Sequence, residues 1–234
     1  ACTRTGTTEG TAAGVTVGAG GTFDGAFTYE TVTGEAPEVT VAVASANDTA
    51  TDTVIVNEPP LFDVAITSVD NAVTAGETVT VDYEVTNTGD VEATQNVTFS
   101  VDGATEDTDA DVTLGGNETA TGQFSYQTAG GDTPSITVAV ASADDSETAT
   151  VTVEDPPFFA VTITGIDQEV PQGAEVNVDY QVENTGDVED TQNITFTVNG
   201  TTEAVDTGVT LDGGETFGGT FVYATETGDT PQIT

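Results

Sequence analysis

The chain has no histidine, no tryptophan, no methionine, a single cysteine and a single basic residue, Arg4. Each absence removes a class of function. Without histidine or lysine there is no Ser-His-Asp triad, no Cys-His pair, no Schiff base and no His-ligated zinc within these residues. A lysine-asparagine cross-link is ruled out by the same count. One cation against 41 acidic residues cannot neutralise phosphates or anionic headgroups, which argues against nucleic acid and acidic membrane surfaces as partners. No run approaches the roughly 18 consecutive apolar residues of a membrane-spanning helix, and the N-terminus has neither a basic region nor an apolar signal core. Direct membrane insertion is therefore not expected within this stretch. Cys2 alone permits no intrachain disulfide. With no tryptophan and five tyrosines, aromatic platforms for stacking sugars are scarce.

What the chain does have is a repeat of 97 residues with no gap. Asn87-Thr88-Gly89-Asp90-Val91-Glu92 returns as Asn184-Thr185-Gly186-Asp187-Val188-Glu189, and Pro59-Pro60 returns as Pro156-Pro157. Residues 62–137 laid over 159–234 agree at 44 of 76 positions, so these are copies of one folding unit. The register divides the chain into residues 1–61, the C-terminal part of a repeat, 62–158, a complete repeat, and 159–234, the N-terminal part of a further one. It also places Cys2 under Phe99 and Phe196, a core strand position where a small buried hydrophobe fits. Read this way, the end pieces await strands from chain outside this window. A longer tandem polypeptide is expected, with strand exchange between copies as the alternative.

A formal charge of −40 repels itself strongly at low ionic strength. The Debye length falls to about 3 Å at 1 M salt, so brine is the expected solvent. Strict alternation of apolar residues argues against an acidic disordered tail. Phe62, Val64 and Ile66, then Val79, Val81, Tyr83 and Val85, then Val97, Phe99 and Val101 recur with period two, the signature of half-buried strands. Phe124 and Tyr126, then Ile136, Val138 and Val140, then Ala149, Val151 and Val153 continue it. Six strands emerge, with room for a seventh near Val112 to Leu114. Turn residues such as Asn87-Thr88-Gly89-Asp90 and Asp102-Gly103 separate them. Seven or so short strands in about 100 residues predict an all-β fold of tandem immunoglobulin-like antiparallel β-sandwich domains arranged end to end. The Pro-Pro linkers hold the chain extended, so a semi-rigid rod is expected.

The frame Phe62-Asp-Val-x-Ile, Ala75-Gly76-Glu77-x-Val79-x-Val81, Val85-x-Asn87-Thr88-Gly89, Phe99-x-Val101-Asp102-Gly103 and Leu114-x-Gly116-x-Glu118 resembles the cell-adhesion-related CARDB domain of bacterial and archaeal surface proteins. With the acidic composition, the chain looks like a haloarchaeal cell-surface protein. The resemblance implies an extracellular immunoglobulin-like sandwich used in adhesion or surface architecture, with no catalytic residues to carry over.

Candidate sites are few. Asp107, Asp109, Asp111 and Glu118 match positions 1, 3, 5 and 12 of an EF-hand calcium loop. Position 6 is Val112 rather than glycine, and the next copy, Ala204-Val205-Asp206-Thr207-Gly208, loses two of the three aspartates, so a solvated acidic loop is the expected reading. A second calcium candidate is the joint between repeats, with Glu154 and Asp155 beside the turn Asn184 to Asp187. Close carboxylate pairs could serve glycoside hydrolysis but are expected by chance among so many acids, and no enzyme is expected. Five sequons, at Asn47, Asn96, Asn117, Asn193 and Asn199, make an exported chain a candidate glycoprotein. Two function classes follow. The first is a stalk, spacer or filament component of a halophile's surface whose partners are neighbouring repeats; the alternative is an adhesion module that binds a partner surface or glycan through its loops.

Overall fold

The computed structural model describes residues 1–4, 7–32 and 34–229, and every regular element among them is a strand. The first repeat contributes β1 (Cys2–Arg4), β2 (Thr7–Gly10), β3 (Glu38–Ala44) and β4 (Thr49–Ile55), paired in the order β2-β1-β3-β4. The second contributes β5 (Phe62–Val69), β6 (Ala72–Thr74), β7 (Thr78–Asn87), β8 (Ala93–Val101), β9 (Ala104–Leu114), β10 (Thr119–Gln127), β11 (Ser135–Ala141) and β12 (Ser146–Glu154). The third adds β13 (Phe159–Ile166), β14 (Glu175–Asn184), β15 (Asp190–Val198), β16 (Thr201–Leu211) and β17 (Thr216–Ala224). The expected sixth strand of that last copy lies outside the described residues.

In the middle repeat a three-stranded sheet, β10-β7-β5, faces a five-stranded one, β6-β12-β11-β8-β9. Every pairing is antiparallel except that of the short β6 on β12, so this is an antiparallel sandwich. Alternation dictates the packing: Val79, Val81, Tyr83 and Val85 of β7 face inward, as do Val97 and Phe99 of β8 and Val138 and Val140 of β11, all essentially buried. Phe124 of β10 stacks on Tyr83 of the same sheet at 4.9 Å and, across the gap, on Phe99 at 5.3 Å. In the third repeat Phe221 repeats the stack, 4.7 Å from Tyr180 and 5.1 Å from Phe196. Burying one such aromatic stabilises by about 2–3 kcal/mol, and the offset stacks add about 1 kcal/mol each. Val161 and Ile163, counterparts of Val64 and Ile66, are exposed, because no counterpart of β11 or β12 packs on them among the described residues.

Two departures from the sequence reading concern short or acidic strands. The middle repeat has eight strands, not six or seven. β6 is three residues long, too short to show a period. β9 runs from Ala104, so the acidic stretch expected as a loop is a strand. Its alternation is hidden because its inward side overhangs the smaller sheet: Asp107 stands opposite inward Phe99 and Asp109 opposite inward Val97. Two irregularities in its pairing with β8 leave Glu106, Ala110 and Asp111 with no residue opposite them in the register.

One free sheet edge is closed by side chains. β5 is the last strand of its sheet, yet the N–H groups of Phe62, Val64 and Ile66 donate to Asp144, Asp145 and Glu147 (3.0, 3.0 and 2.6 Å). The Ser142 hydroxyl donates back to the Phe62 carbonyl at 2.8 Å. The β11–β12 hairpin thus supplies a row of carboxylates where another strand would supply carbonyls, and the edge cannot accept a foreign strand. The Asp144 carboxyl is held below its ordinary range by the Gln95 amide and then by the Phe62 N–H. Asp145 is lowered chiefly by the Val64 N–H.

Candidate functional site

The most heavily built polar arrangement is the joint between repeats. Asp155 N–H donates to Asp187 Oδ2 and Asp187 N–H donates to the Asp155 carbonyl, both at 2.9 Å. One residue earlier, the Glu154 carbonyl accepts from Ala75 N–H of the preceding repeat at 2.8 Å. Neighbouring residues are therefore fastened to different sandwiches. The first joint repeats the design: Glu58 N–H donates to Asp90 Oδ2 and Asp90 N–H to the Glu58 carbonyl, both at 3.0 Å. On its other side Val56 N–H donates to the Pro37 carbonyl at 2.9 Å.

A buried asparagine organises the receiving end. Asn87 is fully buried; its Oδ1 accepts from Leu61 N–H and Gly89 N–H, and its amide donates to the carbonyls of Val91, Leu114 and Gly115. Asn184 makes the same bonds to Phe158, Gly186, Val188 and Leu211. One side chain thereby ties linker, turn and the β9–β10 connection, and such a fully satisfied buried network specifies one geometry. Glycine is required by proximity: a Cβ on Gly89 would lie 2.0 Å from the Pro59 carbonyl oxygen, and one on Gly186 2.1 Å from that of Pro156. A shallow cleft of about 450 Å³ opens beside the first joint, lined by Val32, Ala36, Glu58, Pro59 and Leu61. Glu58 is the one ionisable group among the described residues that line it.

The sequence-derived candidates fall elsewhere. Asp109 accepts a hydrogen bond from the Tyr83 hydroxyl, bridging the two sheets; burial first and this carboxylate second push the Tyr83 hydroxyl well above its ordinary pKa. The pair recurs as Tyr180 and Asp206, with Tyr180 pushed up to about 12 by the same causes. Asp107 accepts from Thr108 N–H, Asp111 N–H donates to Asn96, and Glu118 accepts from Gly115 N–H. The carboxylates of Asp107, Asp109 and Glu118 are thus turned to separate local tasks, and at Asp111 it is the backbone N–H that is bonded. At the joint, the Asp187 carboxylate accepts from Asp155 N–H while Asp155 takes part through its backbone, and no group of three or more acidic or cysteine ligands is gathered among the described residues.

The five sequon asparagines are all exposed. Asn96 and Asn193 have a structural task as well, their Oδ1 accepting from Asp111 N–H and Gly208 N–H across the bulge of the neighbouring strand. The Asn117 amide approaches Asp90 at 3.4 Å, Asn47 N–H donates to the Ser45 hydroxyl, and Asn199 occupies a turn at φ 51°. No helix among the described residues is long and apolar enough to cross a membrane.

No protein-family model matches the chain, and no curated protein matches it. Solved structures do. A CARDB domain is among the structural neighbours. That domain, from Pyrococcus furiosus and in complex with di-metal ions, aligns over 41% of this chain and 94% of its own at 17% identity and a TM-score of 0.37. A β-glucosidase from Listeria innocua in complex with glucose aligns over 40% of this chain at 16% identity and TM-score 0.36, and the native conformation of E. coli alpha-2-macroglobulin over 80% at 13% and 0.37. This chain spans 16% and 17% of those two proteins. None of these alignments assigns a ligand or an activity to the chain.

Sequence reasoning treated the Asn-Thr-Gly-Asp segment as a turn and missed it as the fastening of the joint. The available signal was its invariance. All four residues are identical in two copies that differ at many other positions, although exposed turns tolerate exchange.

Proposed function

We propose that the chain is a stiff spacer, a segment of a stalk or filament on a halophile's outer surface, without catalytic activity of its own. The observation that carries this reading is the joint. A linker meant for reorientation would leave several free residues, whereas here Glu154 and Asp155 are bonded to successive repeats and Asn184 pins the linker from below. Length is what such a joint preserves. The acidic shell supports the high-salt setting, since a formal −40 is tolerable only where counterions are dense. Surface location and glycan decoration belong to the same proposal, supported by exposed sequons on a repeating strand face.

Small-angle scattering of the full chain in about 1 M salt tests the stiffness. The expected profile fits one rigid arrangement, and four glycines inserted between Glu154 and Asp155 should broaden it into an ensemble. A wild-type profile that already requires many inter-repeat angles would defeat the spacer reading.

A further inference from the structure

The acidic residues avoid one face of every repeat. On the outer side of the five-stranded sheet, Thr150 of β12 stands opposite Thr137 of β11, Thr148 opposite Ala139, and Thr98 of β8 opposite Thr108 of β9. These are outward positions because their neighbours Ile136, Val138, Val97, Phe99 and Val151 are buried. Among the outward positions of β8, β11 and β12 only Glu154, at the joint end, is charged, and Asp102, in the turn after β8, accepts from Thr137 N–H at 2.8 Å at the rim of the face. On β9, Asp107 and Asp109 share the inward side of the strand, while Glu106 and Asp111 sit at its two irregularities, towards the rim. The smaller sheet is the contrast: its outer side carries Asp63, Asp82 and Glu84.

The same pattern recurs in the other copies. Thr53 stands opposite Thr40 and Thr51 opposite Ala42 in the first repeat, with Glu38 as its charged exception. Thr195 stands opposite Val205 in the third, where Val205 is 42% exposed. In a chain with 41 acids, three copies of a nearly uncharged face are not accounted for by solubility.

We propose that this face is where one copy of the chain lies against another. The occupant follows from charge. A second copy also carries −40 and would meet carboxylates on the outer side of the smaller sheet or along the β5 edge. Face to face on the larger sheet it meets mainly hydroxyls and methyls, with like charges confined to Glu154, Asp102 and Glu38 at its ends. Small, β-branched side chains also leave the surface flat enough for two sheets to pack. Four strands of about seven residues cover roughly 440 Å². That is about half of the 800 Å² per partner in a standard interface, so one repeat is too little and each further repeat adds a face. The face lies apart from the joint, so its role stands or falls independently of the stiffness reading; the exposed sequons Asn96 and Asn193 stand on it, so copies pack through repeats in which these two asparagines are bare.

Sedimentation equilibrium of the full, unglycosylated chain in about 1 M salt decides the matter. The expected result is a weight-average mass that climbs above 23.7 kDa with concentration. The double variant Thr137→Glu, Thr40→Glu should weaken association at least tenfold, while the neutral Thr137→Asn, Thr40→Asn pair and the control Ser125→Glu on the smaller sheet should leave it intact. Circular dichroism of each variant establishes that it is folded. A wild-type chain that stays at monomer mass up to about 1 mM overturns the proposal, as does equal weakening by Ser125→Glu. Association only after a glycan is present on Asn96 would overturn it too, because the sugar would then be the occupant.

Discussion

At the scale of single residues, the fold depends on polar groups placed where none would be tolerated unpaired. Asn87 is the strongest case, with five bonds from one buried amide. Asn87→Ala strands the Leu114 carbonyl and releases the linker. The expected cost is about 3 kcal/mol, read as a lowered denaturation midpoint in molar salt, because each deprived buried group costs about 1–3 kcal/mol. Asn87→Asp should not rescue the loss, since its second oxygen would face the carbonyls of Val91, Leu114 and Gly115 in a buried site. A midpoint unchanged in the alanine variant would show that the network contributes nothing. The sequence revealed little of this. Asn-Thr-Gly-Asp reads as a turn from composition alone, and which of its atoms reach across to Leu61 or Leu114 is set by tertiary placement.

At the scale of elements, alternation made the inward strands legible: Val79 to Val85 and Val97 to Val101 stand buried as their period predicts. It failed on β9, because at an overhanging edge aspartates can occupy the inward side without burial. It was silent on the β5 edge, whose closing carboxylates lie some 80 residues away. That edge carries a pH prediction. The carboxyls of Asp144 and Asp145 are lowered in the folded chain, so their contribution is fully present above the ordinary carboxylate pKa of about 4 and is lost as pH falls through the lower folded values. A melting curve in molar salt should fall as the pH drops below about 4, and the Asp144→Asn, Asp145→Asn variant should fall less steeply. Parallel pH profiles for the two proteins would remove the carboxylates from the account.

At the scale of the whole molecule, charge and repetition dominate. Dialysis below a few hundred millimolar salt should erase the strand signal in circular dichroism, and molar KCl should restore it, because −40 is unscreened in the first case. A melting temperature indifferent to salt would remove the halophile from the argument. If the chain is exported and decorated, peptides spanning Asn96 or Asn193 from native material should carry added mass, and bare peptides at all five sequons would refute it. The joint has a mechanical side. With Glu154 held by one sandwich and Asp155 by the next, a pull along the chain meets no slack. Linkers cannot straighten to absorb load, so a tethered array stays short until a whole sandwich ruptures. Each rupture would pay out close to 97 residues, a contour gain of about 330 Å before subtracting the folded length. In a force-extension trace the expected record is a sawtooth of equal teeth with no soft initial stretch, the behaviour of a tie that holds its length until it gives way one unit at a time.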